Sequence, residues 1–280
     1  MGRLAVTALA ISFALTAGAD AKPRTKHHET SRAEKVKKKR KRRHARQTRT
    51  KPKRDDTPSH EAIVKRIERP ADYADSPAFH YNDLSREACE AELDERKIPY
   101  TREPEPWLGV RAPVRLSGPL HGVTYRTSLP EAKRATTKWE VADCRLVLAL
   151  DDFAQILQKH DITEVIHYSM YRPPEKSHPA DQDGMRHGGA LALDAGKFIT
   201  RDGSVLDVDK HWNGRRGSKT CGEHAGPSPA THEAKELRAI LCEAVAARIF
   251  NSYLTPNYNT AHHNHFHLEV TAGWRSFLIY

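Results

Sequence analysis

His262-His263-Asn264-His265-Phe266-His267-Leu268-Glu269-Val270 is the stretch on which fold and chemistry both turn. From His265 onward polar and apolar residues alternate, which is the period of a strand. His265 and His267 therefore share one face. Two imidazoles on one face can turn toward a common point about 2 Å from each ligand nitrogen, which suits a divalent metal. A surface histidine cluster with no defined site has the same composition. The stretch needs a partner elsewhere in the chain.

That partner is Arg186-His187-Gly188-Gly189-Ala190-Leu191-Ala192-Leu193-Asp194. Only small and apolar residues separate His187 from Asp194, and Gly189 to Ala195 reads as a buried strand. A bend at Gly188-Gly189 would return the histidine to the side of the aspartate. His187, Asp194 and one histidine of the terminal strand then make a His₂-Asp set. Three protein ligands leave the fourth tetrahedral position open, the arrangement of a catalytic zinc rather than a structural one.

Charge is distributed unevenly. Residues 22–54 hold 17 Lys and Arg against Glu29 and Glu34, a net +15, while residues 1–21 cancel. The chain carries +10, so the body from residue 55 carries −5. The segment 22–57 has almost no apolar side chains and cannot offset its ordering entropy, so a disordered basic arm is expected there, with the domain over 58–280. Residues 1–21 read as a secretory signal: Arg3, an apolar run from Leu4 to Ala17, and a small-x-small end at Ala19-Asp20-Ala21. An uncleaved anchor is the alternative, and the positive run after the apolar segment opposes translocation. Behind a signal the arm suits an anionic envelope polymer, with no nucleic acid expected. A solvated linker without a partner is the plainer account of the same composition. The expected location is exported: periplasmic, cell-surface or secreted.

Cys89, Cys144, Cys221 and Cys242 form no C-x-x-C pair, which excludes a zinc knuckle or thioredoxin-type motif. Four cysteines behind a signal allow three connectivities. Cys89–Cys144 with Cys221–Cys242 pairs nearest neighbours and is favoured over four buried thiols.

Helices are expected over His60–Ile67, Asp83–Leu93 with Ser85 as a cap, and Cys144–Lys159. In the last of these Leu146, Leu150, Phe153 and Leu157 make one stripe. Another helix is expected after Thr231. Strands are expected over Val110–Leu116, Val123–Arg126, Glu164–Arg172 and Val205–Val208. Pro113 marks the first of these as an edge strand. Residues 256–264 read as a loop. The order points to an α+β fold with a small antiparallel sheet and packed helices.

At the metal-ligating residues the chain resembles the bacterial extensin-like C-terminal domain family. It also resembles, more broadly, the zinc D-Ala-D-Ala peptidases, including penicillin-insensitive murein endopeptidase. The shared elements are Cys144-Arg145-Leu146, Tyr171-Arg172, His187 to Asp194, Cys242, and Tyr258-Asn259 ahead of His262-x2-His265-x-His267. They span roughly 85–270. The resemblance implies a zinc D-Ala-D-Ala peptidase-like fold. It implies Zn²⁺ held by His187, Asp194 and His267, and Arg172 as the oxyanion partner. The base would be His265 or a group near it, with His262 as a possible additional member. The implied substrate is peptidoglycan or cell-wall peptide, cut at an amide bond by a carboxypeptidase or endopeptidase reaction. The alternative is an inactive cell-wall binding protein that keeps the metal.

The chain departs from the family pattern at Met185, where a serine is usual, at Ala190, where glycine is usual, and at Asn264, where the carboxylate base is usual. After the last change either His265 is the base, since histidine ordinarily titrates near neutrality, or the site is slow or inactive. Glu269 reads as solvent-exposed or salt-bridged, and His167 and His178 as hydrogen-bonded structural residues. Trp139, Trp212 and Trp274 read as core, and Asp181 and Asp183 as a solvated acidic loop.

Overall fold

The helix expected over Cys144–Lys159 becomes the centre of the described fold. A computed structural model describes residues 56–68, 75–175 and 184–280. The expected signal peptide, all of the basic arm but its last two residues, and His178, Asp181 and Asp183 lie outside the described residues. In chain order the helices are α1 (His60–Val64), α2 (Pro77–Asp83), α3 (Arg86–Glu95), α4 (Glu131–Arg134), α5 (Cys144–Lys159), α6 (Val208–His211) and α7 (His232–Ala246). The strands are β1 (Ile67–Glu68), β2 (Tyr100–Arg102), β3 (Pro113–Leu116), β4 (Thr124–Thr127), β5 (Ala142–Asp143) and β6 (Ile162–His167). They continue with β7 (Ala192–Thr200), β8 (Val205–Asp207), β9 (Ser252–Leu254), β10 (Phe266–Glu269) and β11 (Phe277–Ile279). Short 3₁₀ turns cover Lys138–Glu140, Arg186–Gly189 and Thr260–His262.

Helix α5 starts where Asp143 accepts the Arg145 N–H and ends before Asp161, whose φ of 56° is left-handed. Its burial extends well beyond the expected stripe, to Val147, Leu148, Ala149, Ala154 and Ile156. An apolar helix buried all round lies inside a fold rather than on it. It packs between the strands and helices α2, α3 and α7. The Ser85 cap on α3 and the Thr231 cap on α7 form as expected, accepting from Ala88 and Ala234. Phe153, Phe198, Phe250 and Phe266 meet ring to ring beneath the sheet.

The fold is α+β, but its main sheet is larger and less regular than expected. It has eight strands in the order β1-β11-β9-β10-β7-β6-β4, with β8 beside β7. Two of its pairs, β4 with β6 and β9 with β11, are parallel. The first follows from connectivity: α5 lies in the crossover between the strands, and a crossover through a helix returns the chain in the same direction. Strands β2, β3 and β5 make a separate antiparallel sheet with β3 in the middle. Pro113 therefore does not mark an edge strand. It is the first residue of β3, where proline costs no ladder hydrogen bond that a strand interior would need.

Strand β6 ends at His167, five residues earlier than expected, and Arg172 lies in the coil beyond it. Trp212 is core, whereas Trp139 is exposed and Trp274 only half-buried. Both disulfides pair as expected, Cys89–Cys144 and Cys221–Cys242, and no cysteine is free. By the chain-entropy relation, loops of 55 and 21 residues correspond to about 4 and about 3 kcal/mol. Two such bridges suit an oxidising compartment. Among the described residues no helix is long and apolar enough to cross a membrane.

Candidate metal centre

The antiparallel register of β10 with β7 sets His267 directly opposite Asp194. Alternation then sorts the two faces. Phe266, Leu268, Leu193 and Ala195 enter the core, while His265, His267 and Glu269 share the face of Asp194. His187 reaches the same point from the 3₁₀ turn Arg186–Gly189. Gly189 makes that turn possible, since a Cβ there would stand 2.6 Å from the backbone carbon of Gly184.

His187 Nε2 lies 3.0 Å from Asp194 Oδ1 and 3.2 Å from His267 Nδ1, and His267 Nδ1 lies 3.0 Å from Asp194 Oδ1. All three side chains are buried. Tetrahedral ligands about 2 Å from a zinc ion stand roughly 3.3 Å apart, so the triangle is the right size. Orientation fits as well. The carbonyl of Met170, 3.1 Å away, can only accept, so His187 Nδ1 donates to it and Nε2 carries the lone pair. A lone pair then faces a carboxylate oxygen at 3.0 Å. Two acceptors at that distance repel unless a cation or a proton lies between them. The donor set of the centre therefore fits a divalent metal.

On the far side of His267, Nε2 lies 3.3 Å from Glu269 Oε2. This is the carboxylate–histidine arrangement that orients a metal ligand from outside. Of the two expectations for Glu269, solvent exposure is corrected and the salt bridge is found. It is buried, with Arg186 Nε 3.7 Å from the same oxygen. Its signal was present in the sequence: period two places residue 269 on the face of 265 and 267.

Electrostatics follow from this packing. Burial works to raise the Asp194 carboxyl, but His187 and His265 outweigh it and hold the group well below the usual carboxylate range. Burial lowers His187. It lowers His267 too, but there the hydrogen bonds to Asp194 and Glu269 prevail and the ring is raised. A metal entering the centre competes with a proton on His267.

Two further histidines line the centre. His265 Nε2 lies 3.3 Å from Asp194 Oδ1, and its Nδ1 is 2.9 Å from the Asn264 side-chain oxygen. Asn264 thus accepts from His265 Nδ1 and leaves the lone pair on Nε2. His262 packs against both, its ring centroid 5.2 Å from that of His265 and 5.6 Å from that of His267. Its Nδ1 donates to Asn259 Oδ1 at 2.7 Å. Burial, then His267 and His265, push its pKa down to about 2, so it is neutral at pH 7. Arg172 Nη1 lies 3.3 Å from Asp194 Oδ2, and the Arg172 backbone N–H donates to the His187 carbonyl at 3.1 Å.

His167 does not join the cluster by any hydrogen bond. It lies on the core side of β6, opposite Ala195, and neither ring nitrogen has a partner among the described residues. The expectation of a hydrogen-bonded structural histidine is corrected, although the residue is structural. The sequence departures also have local consequences. Met185 occupies the cap of the 3₁₀ turn, where a serine hydroxyl would accept an N–H and methionine cannot. Ala190 has φ 53°, a conformation that glycine adopts without strain.

No curated protein and no solved structure matches the chain. Residues 87–277 match the family model of the extensin-like protein C-terminus. That span contains α5, both disulfides and every residue of the metal centre, and the chain belongs to this family.

Proposed function

We propose that this protein is a zinc-dependent hydrolase of amide bonds in peptidoglycan peptides, related in fold and mechanism to the zinc D-Ala-D-Ala peptidases. The observation that carries the reading is the buried triangle of His187, Asp194 and His267, with acceptor atoms converging on one point. Zinc, when bound there, supplies Lewis acidity to a peptide carbonyl and to water. His265 is the proton acceptor: Asn264 holds its Nδ1–H, so Nε2 is available to take a proton and return it to the leaving amine. His262, neutral at pH 7, packs against its ring. Arg172 presents its guanidinium beside Asp194, where a fixed positive charge stabilises negative charge developing on the carbonyl oxygen. Export, and attraction of the basic arm to an anionic envelope polymer, belong to the same proposal.

The deciding experiment incubates peptidoglycan fragments with zinc and the purified chain, with His267→Ala as control, and analyses the products by mass spectrometry. New fragments made by the wild type alone establish the hydrolase, and their masses identify the bond. Asn264 favours a second reading, a wall-binding protein without catalysis, because an amide cannot take up the proton that a carboxylate would. Retained zinc and tight binding of intact fragments, with no product, would establish that reading instead.

A further inference from the structure

Tyr168 follows directly on β6, and its backbone N–H donates to the carbonyl of Asp194 at 2.9 Å. The Asp194 N–H in turn donates to Ser169, so the tyrosine and the proposed ligand share one ladder. The Tyr168 ring meets the imidazole of His265 edge-on, with centroids 5.8 Å apart at 86°. Its tip lies over Gly196, where a Cβ would come within 3.1 Å of Cζ and 3.2 Å of the hydroxyl oxygen. Glycine at 196 is what lets the ring lie down on the strand. Yet Tyr168 remains 47% exposed. Among the exposed large apolar side chains of the described residues, it is the one in ring contact with a histidine of the centre. Burial, then the carboxylates of Asp207 and Asp209, raise its pKa, so the phenol is uncharged at neutral pH.

A half-exposed aromatic face held rigidly beside a ligand cluster gains most when an apolar group covers it. We infer that the Tyr168 ring, seated on Gly196, is the wall of the substrate subsite next to the cleaved bond, and that it receives a small apolar side chain such as an alanine methyl. This rests on the hydrolase reading above for the identity of the substrate, but not for the contact itself. Tyr168 is a specificity residue here, and the phenol hydroxyl has no part in the chemistry.

The test uses two metal-directed probes that differ by one methyl, formohydroxamate and acetohydroxamate, titrated into the zinc-loaded full chain by calorimetry. A methyl transferred from water onto an apolar surface is worth about fourfold in affinity. Wild type and Tyr168→Phe should both prefer acetohydroxamate by about that factor. Tyr168→Ala should lose the preference, and so should Gly196→Ala, which keeps the phenol but displaces it. Zinc content and circular dichroism should be those of wild type in all three variants. A fourfold preference that survives in folded, zinc-loaded Tyr168→Ala overturns the wall. A chain that takes up no zinc overturns both the wall and the hydrolase. If peptidoglycan fragments stay intact while Tyr168→Ala abolishes the methyl preference, the hydrolase reading fails and the ring stands as the apolar wall of a ligand subsite beside the metal.

Discussion

Asp143 and Asp194 are both buried carboxylates, 0% and 2% exposed, and they have opposite surroundings. Asp143 is surrounded by donors. Its oxygens accept the backbone N–H groups of Arg111, Ala112 and Arg145, each at 3.1 Å, and the Arg145 guanidinium at 2.7 Å. Charge and hydrogen bonds close within the protein, and the result joins β5 and α5 to the preceding loop. Asp194 faces three imidazole nitrogens within 3.3 Å, and Met170 and Asn264 have already claimed the ring protons of two of them. Arg172 Nη1 stands 3.3 Å from the other oxygen, Oδ2, but the lone pairs that face Oδ1 close only with a cation or a proton between them. A buried carboxylate is thus a fold element when its neighbours are N–H groups. It is a binding element when they are lone pairs.

The largest expected effect tests the first half of this contrast. Asp143→Ala leaves Arg145 buried without its partner and should cost about 3–5 kcal/mol in denaturant unfolding. Asp194→Ala in metal-free protein should cost far less, since it also removes an acceptor facing a lone pair. Equal losses would break the comparison. The second half is tested by adding metal. Zinc at a thousandfold excess over its dissociation constant should stabilise the wild type by about 4 kcal/mol and leave Asp194→Ala unmoved. Thermal unfolding with and without chelator measures this. The outer carboxylate sharpens the picture: Glu269→Gln should weaken zinc affinity roughly 10–100-fold in a competition titration, with the fold intact. An unchanged affinity would remove Glu269 from the centre.

The smallest effect separates His167 from the histidines of the candidate centre. Burial pushes its pKa down to about 3, and no hydrogen bond offsets this. The unfolded chain takes up a proton below about 6.5 and the folded chain does not, so this contribution to stability is complete above 6.5 and declines toward 3. Between pH 7 and 5.5 the wild type should lose about 1 kcal/mol more than His167→Leu. Parallel losses in urea titrations at the two pH values would show that His167 titrates normally.

Much of this was legible from local pattern. The α5 stripe, the Ser85 and Thr231 caps, the strand at 265–270 and the set of His187, Asp194 and one histidine of the terminal strand follow from period, capping chemistry and residue type; the choice of His267 came from the family resemblance. Other features were harder to read because their causes lie far away along the chain. Nothing near Arg172 ends β6 early. Beyond Ser169 the chain leaves β7: the Met170 N–H donates to the Trp139 carbonyl and the Arg172 N–H to the His187 carbonyl. Pro113 looked like an edge because a single strand does not disclose what flanks it. His167 looked hydrogen-bonded because its residue type is polar, while its face is set by pairing with Ala195.

The sequence alone determined which chemistry was available: four histidines within six residues, an aspartate seven residues after another histidine, and an alternation placing two imidazoles on one side. Only the tertiary structure decided which nitrogens turn inward. Met170 and Glu269 orient His187 and His267, and the register of β7 with β10 brings residues 73 apart in sequence to 3.0 Å. Local sequence sets the faces of a strand, but which strand lies beside it is chosen by burial of the whole core, and ligand geometry follows that choice.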